Sequence, residues 1–265
     1  MNILERIVNY KKKEVASANL LIPRSELEQM ISFDRTNLKM TEFLMDPERT
    51  GIIAEFKRKS PSKGIINDQV SVEEVTQGYA NNGASALSVL TDFHFFGGSI
   101  EDLMSARKVN QIPILRKEFI IDEYQIYEAK AIGADAILLI AAILEKKQAK
   151  KFAKIAKELG LQVLMEFHDE SELDLLNEHL DMVGVNNRNL KTFIVDLKHS
   201  VKLAEKIPGQ FIKISESGIA SPDDIIFLKQ HGFKGFLIGE NFMKTENPGK
   251  SFTSFVESLQ IAQQI

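Results

Sequence analysis

Residues 134–159 read ADAILLIAAILEKKQAKKFAKIAKEL, a continuous apolar run at 134–140 followed by an amphipathic, lysine-rich stretch at 145–159. A strand with no polar alternation has both faces buried, as in a parallel sheet covered by helices. The same unit recurs outward in both directions. Upstream, apolar runs at 51–56, 84–90 and 112–115 precede helical stretches at 72–82, 100–109 and 123–132. Downstream, runs at 161–165, 182–185, 211–214 and 233–238 precede stretches at 170–177, 196–206, 222–231 and 251–263. Helix starts are signalled by Ser71, which precedes acids, and by Ser221-Pro222-Asp223-Asp224, with proline at the first helical position. Eight β-α units predict an α/β fold, a closed (βα)₈ TIM barrel. An open doubly wound sheet would usually carry a Gly-x-Gly-x-x-Gly turn after its first strand, where this chain has Lys57-Arg58-Lys59-Ser60-Pro61.

Residues 1–48 fall outside the repeat and predict an N-terminal helical extension packed on one barrel domain spanning 1–265. Ile3, Ile7, Val8 and Val15 lie near one helical face, and Lys11-Lys12-Lys13 is expected on the solvated opposite face. A second helix is expected over 24–32. Hydrophobic residues make up 44% of the chain, enough for a full core. With no cysteine, disulfides, thiolate metal sites and cysteine nucleophiles are excluded. A net charge of −4 gives no pull toward nucleic acid or an acidic membrane. The start Met1-Asn2-Ile3-Leu4-Glu5-Arg6 lacks the basic and apolar regions of a signal peptide. The expectation is a cytoplasmic monomer or weak homodimer with a small-molecule phosphorylated substrate, no nucleic-acid partner and no membrane.

In such a barrel the active site lies where strands end and βα loops begin. Glu55 and Lys57, two apart on one strand, share a face and point inward if Ile53 does. Lys117 follows Leu115 in the same way, and Glu166, Asn186 and Glu216 end further strands. Any one strand-end residue, such as Arg116, is as well explained by the onset of solvent. Acids and bases converging from five strands on one mouth are not, because stability alone does not require them there. Ser217-Gly218 and Gly239-Glu240 follow the last two strands, where barrels often bind phosphate through backbone amides. Ser60 and Lys59 are placed to close that site. A side chain at Gly239 is therefore expected chiefly to weaken binding. The histidines show no metal-ligand spacing, His168 reads as a loop residue, and no Gly-x-Ser-x-Gly is present; neither metal nor cofactor is expected.

Glu55-Phe56-Lys57-Arg58-Lys59-Ser60-Pro61-Ser62-Lys63-Gly64 closely resembles the signature of the indole-3-glycerol phosphate synthases. Further matching segments run in order at Leu87–Asp92, Leu115–Phe119, Met165–Asp169, Val185–Leu190, Ser215–Ile219 and Phe236–Gly239. The resemblance implies conversion of 1-(2-carboxyphenylamino)-1-deoxyribulose 5-phosphate to indole-3-glycerol phosphate, without metal or cofactor. It implies that Lys117 protonates the ribulose carbonyl, that Glu166 acts on the intermediate, and that Lys57 lies near the substrate carboxylate. Glu55, Asn186 and Glu216 would orient these groups. Ser60, Ser217, Gly218 and Gly239 would hold phosphate, and Phe96, Phe119, Arg188 and Leu190 would wall the aromatic ring. Glu240 stands where some relatives have serine; its amide would contact phosphate while its side chain turns away. Other phosphate barrels, including Schiff-base aldolases using a strand-end lysine, and a catalytically silent binding barrel are the alternative readings.

Overall fold

The computed structural model describes residues 2–189 and 194–263. Among them, eight parallel strands close into a barrel: β1 (Ile52–Phe56), β2 (Ala86–Leu90), β3 (Ile114–Lys117), β4 (Ala136–Ile140), β5 (Gln162–Phe167), β6 (Met182–Asn186), β7 (Ile212–Glu216) and β8 (Phe233–Ile238). Each pairs with the next, and β8 closes on β1 with Phe236 opposite Ile52. Alternate residues divide between two apolar layers, as the two-residue period of a strand dictates. Ile53, Leu115, Leu138, Leu164, Ile214 and Leu237 fill the barrel, while Ile52, Ala54, Val89, Ile137 and Leu139 face the surrounding helices. Both layers are buried, which is why the runs carry no polar alternation.

The caps form as their residues require. The Ser71 hydroxyl accepts the Glu74 N–H at 3.4 Å, and Ser221 and Asp224 form a reciprocal capping box under Pro222. Several elements among the described residues differ from expectation. The stretch at 170–177 is a 3₁₀ helix, Glu170–Leu175; Leu173 and Leu176, one 3₁₀ turn apart, both pack on the core. The helix expected over 24–32 divides into Arg24–Leu27 and a 3₁₀ turn, Ile31–Asp34. Leu27 is its one buried apolar anchor and Ile31 is exposed, so no stripe sustains a longer helix. The helix Met40–Met45 had no counterpart in the expected elements; its Met40 and Leu44 enter the barrel interior from the N-terminal ends of the strands.

The long helix α1 (Ile3–Leu21) crosses the other end of the barrel. Lys12 and Lys13 are solvated as expected, but Lys11 is not. It occupies the buried stripe Ile7–Lys11–Val15, spaced one helical turn apart. No helix among the described residues is long and apolar enough to cross a membrane.

Candidate active site

A cavity of about 290 Å³ opens at the C-terminal ends of the strands. It is lined by Glu55, Lys57, Lys117, Glu166, Asn186 and Glu216, so the acids and bases expected on five strands do converge. Lys117 Nζ lies 2.6 Å from Glu216 Oε2 and 3.4 Å from Glu166 Oε2. Asn186 Nδ2 donates to Glu166 Oε1 at 3.0 Å. Lys57 Nζ donates to Glu55 Oε1 at 2.7 Å, and Ser88 Oγ to Glu55 Oε2 at 3.1 Å.

Burial disfavours every one of these charges, and mutual pairing decides which survive. For Lys117, burial is outweighed by Glu216, Glu166 and Glu55 together, so its ammonium titrates well above the ordinary lysine range. Burial also raises Glu166, but Lys117 and then His168 hold it well below the usual carboxylate range. Glu55 is held low by Lys57 and Lys117 against the same penalty. Glu216 goes the other way. Burial and the neighbouring Glu166 carboxylate outweigh the attraction of Lys117 and push it up to about 7. Two carboxylates flank one ammonium, and the less compensated of them keeps a proton into the neutral range.

Directly after Glu216, Ser217 and Gly218 both adopt left-handed backbone, with φ of 70° and 72°. Asn187, turned away from the cavity, donates to the Ser217 carbonyl at 2.6 Å and to Ser215 Oγ at 3.0 Å. A Cβ on Gly218 would lie 2.1 Å from Val195 Cγ1, so neither the dihedral nor the space admits a side chain. Gly239 precedes the short helix Glu240–Met243. A Cβ there would stand 2.8 Å from Glu55 Oε1 and 2.9 Å from Glu55 Cβ. A side chain at Gly239 would therefore crowd the Glu55 carboxylate, a contact that the expectation of weakened binding does not include. The Glu240 carboxylate faces two cations across the mouth, Arg188 Nη2 at 3.5 Å and Lys63 Nζ at 3.6 Å. Ser60 lies in a two-residue antiparallel ribbon with Gly64–Ile65, where its hydroxyl is 3.4 Å from that of Ser62. Lys59 Nζ turns to the His94 carbonyl at 2.7 Å.

The apolar wall is formed by Phe96 and Phe119, whose rings meet at 5.7 Å between centroids. Arg188 lines the same cavity; Leu190 lies outside the described residues. Arg116 points away from the cavity into a buried outer site, 2.5 Å from Glu128 Oε2. The amphipathic N-terminal segment is expected to line or support the barrel mouth, and its first turns do so. Ile3, Leu4 and Ile7 of α1 complete the cavity. His168, expected to be a plain loop residue, brings Nε2 within 3.1 Å of Glu166 Oε1. Burial lowers its affinity for a proton, but Glu166 and Glu172 raise it more, so the imidazolium is favoured. The signal available was the two-residue spacing from Glu166, which keeps both side chains on one face of an extended chain.

The family model described as indole-3-glycerol phosphate synthase matches residues 4–255. An indole-3-glycerol phosphate synthase of Bacteroides thetaiotaomicron is 46% identical over 98% of this chain and 99% of its own length. That of Caldanaerobacter subterraneus subsp. tengcongensis is 46% identical over 92% of this chain and 94% of its own. Among solved structures, a tryptophan synthase subunit alpha from Legionella pneumophila superposes with a TM-score of 0.62 at 13% identity, covering 89% of this chain and 100% of that one. A Pyrococcus furiosus tryptophan synthase complex chain gives 0.59 at 16% identity, with 80% and 98% covered. These two likenesses establish the barrel fold alone.

Proposed function

This chain belongs to the indole-3-glycerol phosphate synthase family, and on that premise we propose how its barrel mouth performs the reaction. The enzyme is a carboxy-lyase of tryptophan biosynthesis. It converts 1-(2-carboxyphenylamino)-1-deoxyribulose 5-phosphate to indole-3-glycerol phosphate, releasing carbon dioxide and water. The conversion is redox-neutral, so acid–base groups in a shaped cavity suffice.

The observation that carries the assignment is the Lys117 ammonium, held between Glu216 at 2.6 Å and Glu166 at 3.4 Å. Ring closure puts negative charge on the ribulose C2 oxygen only as the new carbon–carbon bond forms. A preorganised cation there stabilises the transition state more than the bound substrate. Lys117 supplies that cation and the proton. Glu166 is kept anionic by Lys117, His168 and Asn186, as a base acting on the intermediate must be. Lys57 binds the substrate carboxylate and is placed for acid catalysis of dehydration, with Glu55 fixing its direction. The phosphate is assigned to the Ser217-Gly218 turn, the Gly239-Glu240 corner and Ser60. The aromatic ring is assigned to Phe96, Phe119 and Arg188.

A Schiff-base mechanism at Lys117 is disfavoured by the same contacts. A nucleophilic lysine needs its charge removed, and these carboxylates retain it. We read residues 1–48 as part of one domain with the barrel, since they close both its ends, and take the protein to work in the cytoplasm as a monomer or weak homodimer. Turnover of the carboxyphenylamino-deoxyribulose phosphate is the direct test. The chain has no tryptophan, so indole fluorescence of the product rises over a low protein background. Absence of turnover by the folded protein, or borohydride trapping of a Lys117 adduct, would defeat this reading.

A further inference from the structure

We propose that Lys11 is a positioning residue that ties α1 to the aromatic wall of the cavity and thereby sets recognition of the substrate's aryl ring; this rests on the function proposed above. Lys11 is completely buried, and a buried ammonium persists only where its charge and donors are matched. Its Nζ meets Glu14 Oε1 at 2.8 Å, Asp92 Oδ2 at 2.9 Å and Glu118 Oε1 at 3.0 Å. Glu14 belongs to α1 itself. The other two carboxylates stand on the loops after β2 and β3, and both are buried.

What those carboxylates hold gives the contact its meaning. Asp92 Oδ1 accepts the N–H groups of Phe95 at 2.7 Å and Phe96 at 3.1 Å, capping the short turn Phe93–Phe96. Glu118 Oε1, the oxygen that meets Lys11, also accepts the Phe119 N–H at 2.8 Å. The Thr91 hydroxyl fixes the other Glu118 oxygen at 2.7 Å. One ammonium therefore anchors the backbone under both wall phenylalanines to the helix whose Ile3, Leu4 and Ile7 line the same cavity. Of the residues assigned to phosphate, Ser217-Gly218 and Gly239-Glu240 stand on the loops after β7 and β8, whereas Ser60 is nearer, its neighbour Lys59 donating to the His94 carbonyl of the Phe93–Phe96 turn. Loss of Lys11 should loosen the aryl side and leave the backbone amides after β7 and β8, on which phosphate binding chiefly rests in this reading, as they are.

The test compares Lys11→Met with wild type by three measurements: the Kd of indole-3-glycerol phosphate from its indole fluorescence, KM and kcat for the substrate, and the Ki of inorganic phosphate. The expected result is a rise of roughly ten-fold in Kd and KM, about 1.4 kcal/mol of binding, with the phosphate Ki unchanged. A lower melting temperature with unaltered Kd and KM would overturn the proposal, leaving Lys11 a merely structural residue. Should Lys11→Met fail to fold, Glu118→Gln keeps the lysine and an oxygen for the Phe119 N–H while weakening the tie. It should raise Kd in the same direction by a smaller factor, and a wild-type Kd in that variant would equally overturn the role. Wild-type turnover measured alongside separates the two readings. Its absence defeats the functional assignment, whereas full wild-type turnover with an unaltered Lys11→Met defeats only the role of Lys11.

Discussion

At the scale of single residues, the mouth is governed by which charges compensate which. Lys117 has two carboxylate partners within 3.4 Å, so both a structural and a catalytic role have a geometric basis. Lys117→Met keeps the chain length and removes the charge. A catalytic role predicts a fall in kcat of roughly 10²–10⁴-fold, the usual contribution of a positioned acid–base group, with a smaller change in affinity for a product analogue. A variant with near wild-type kcat and a lowered melting temperature would instead mark the lysine as structural. Glu216 allows a thermodynamic test. Its carboxyl is pushed up to about 7 in the fold, against roughly 4.3 in an unfolded chain. Between those values the folded protein binds more protons than the unfolded one, so this group's contribution to stability falls as pH rises through that window. Glu216→Gln mimics the protonated form. It should melt higher than wild type at pH 8, and the difference should shrink toward pH 5. Parallel melting curves for the two proteins across that range would show that Glu216 is not the proton-holding member of the pair.

At the scale of elements, β1 and β8 are packed so closely at their C-terminal ends that a glycine is part of the active-site geometry. Gly239→Ala places a methyl 2.8 Å from Glu55 Oε1, and Glu55 is what directs Lys57. The substitution is expected to lower kcat together with raising KM. A rise in KM with kcat unchanged would mean that Glu55 adjusts freely and that the glycine serves the phosphate alone. Two stretches departed from expectation according to the apolar residues they present. The stretch at 24–32 has Leu27 buried and Ile31 exposed, too little to hold a helix of that length. The stretch at 170–177 presents Leu173 and Leu176 at the three-residue spacing that suits a 3₁₀ turn.

At the scale of the whole molecule, the first 48 residues close the barrel at both ends. α1 covers the mouth with Ile3, Leu4 and Ile7. The helix Met40–Met45 fills the other end with Met40 and Leu44, and Arg35 pairs with Asp135 at 2.7 Å at the foot of β4. Two truncations should therefore differ. Removing residues 1–21 leaves the lower plug in place and is expected to give a folded barrel with a raised KM. Removing residues 1–45 also takes out Met40 and Leu44, whose burial is worth roughly 2–5 kcal/mol each if truncation to alanine is the guide, and should lower the melting temperature much further. Equal melting temperatures for the two truncations would show that the plug is dispensable. The barrel itself was legible in the sequence because its strands are buried on both faces, and a doubly buried strand has one composition wherever it occurs. The strand-end acids and bases were legible for a related reason: the two-residue period fixes which side chains face inward once the strand is known. The sequence also carried the signature segments that mark the family, since each is local to one strand end. It did not determine the burial of Lys11, because a lysine inside an apolar stripe reads as solvated until the carboxylates of Asp92 and Glu118, on distant loops, are brought within 3.0 Å of it. Nor did it determine that Glu216, rather than Glu166, keeps a proton into the neutral range. That follows from burial and from distances among side chains on β3, β5 and β7, which only closure of the barrel sets.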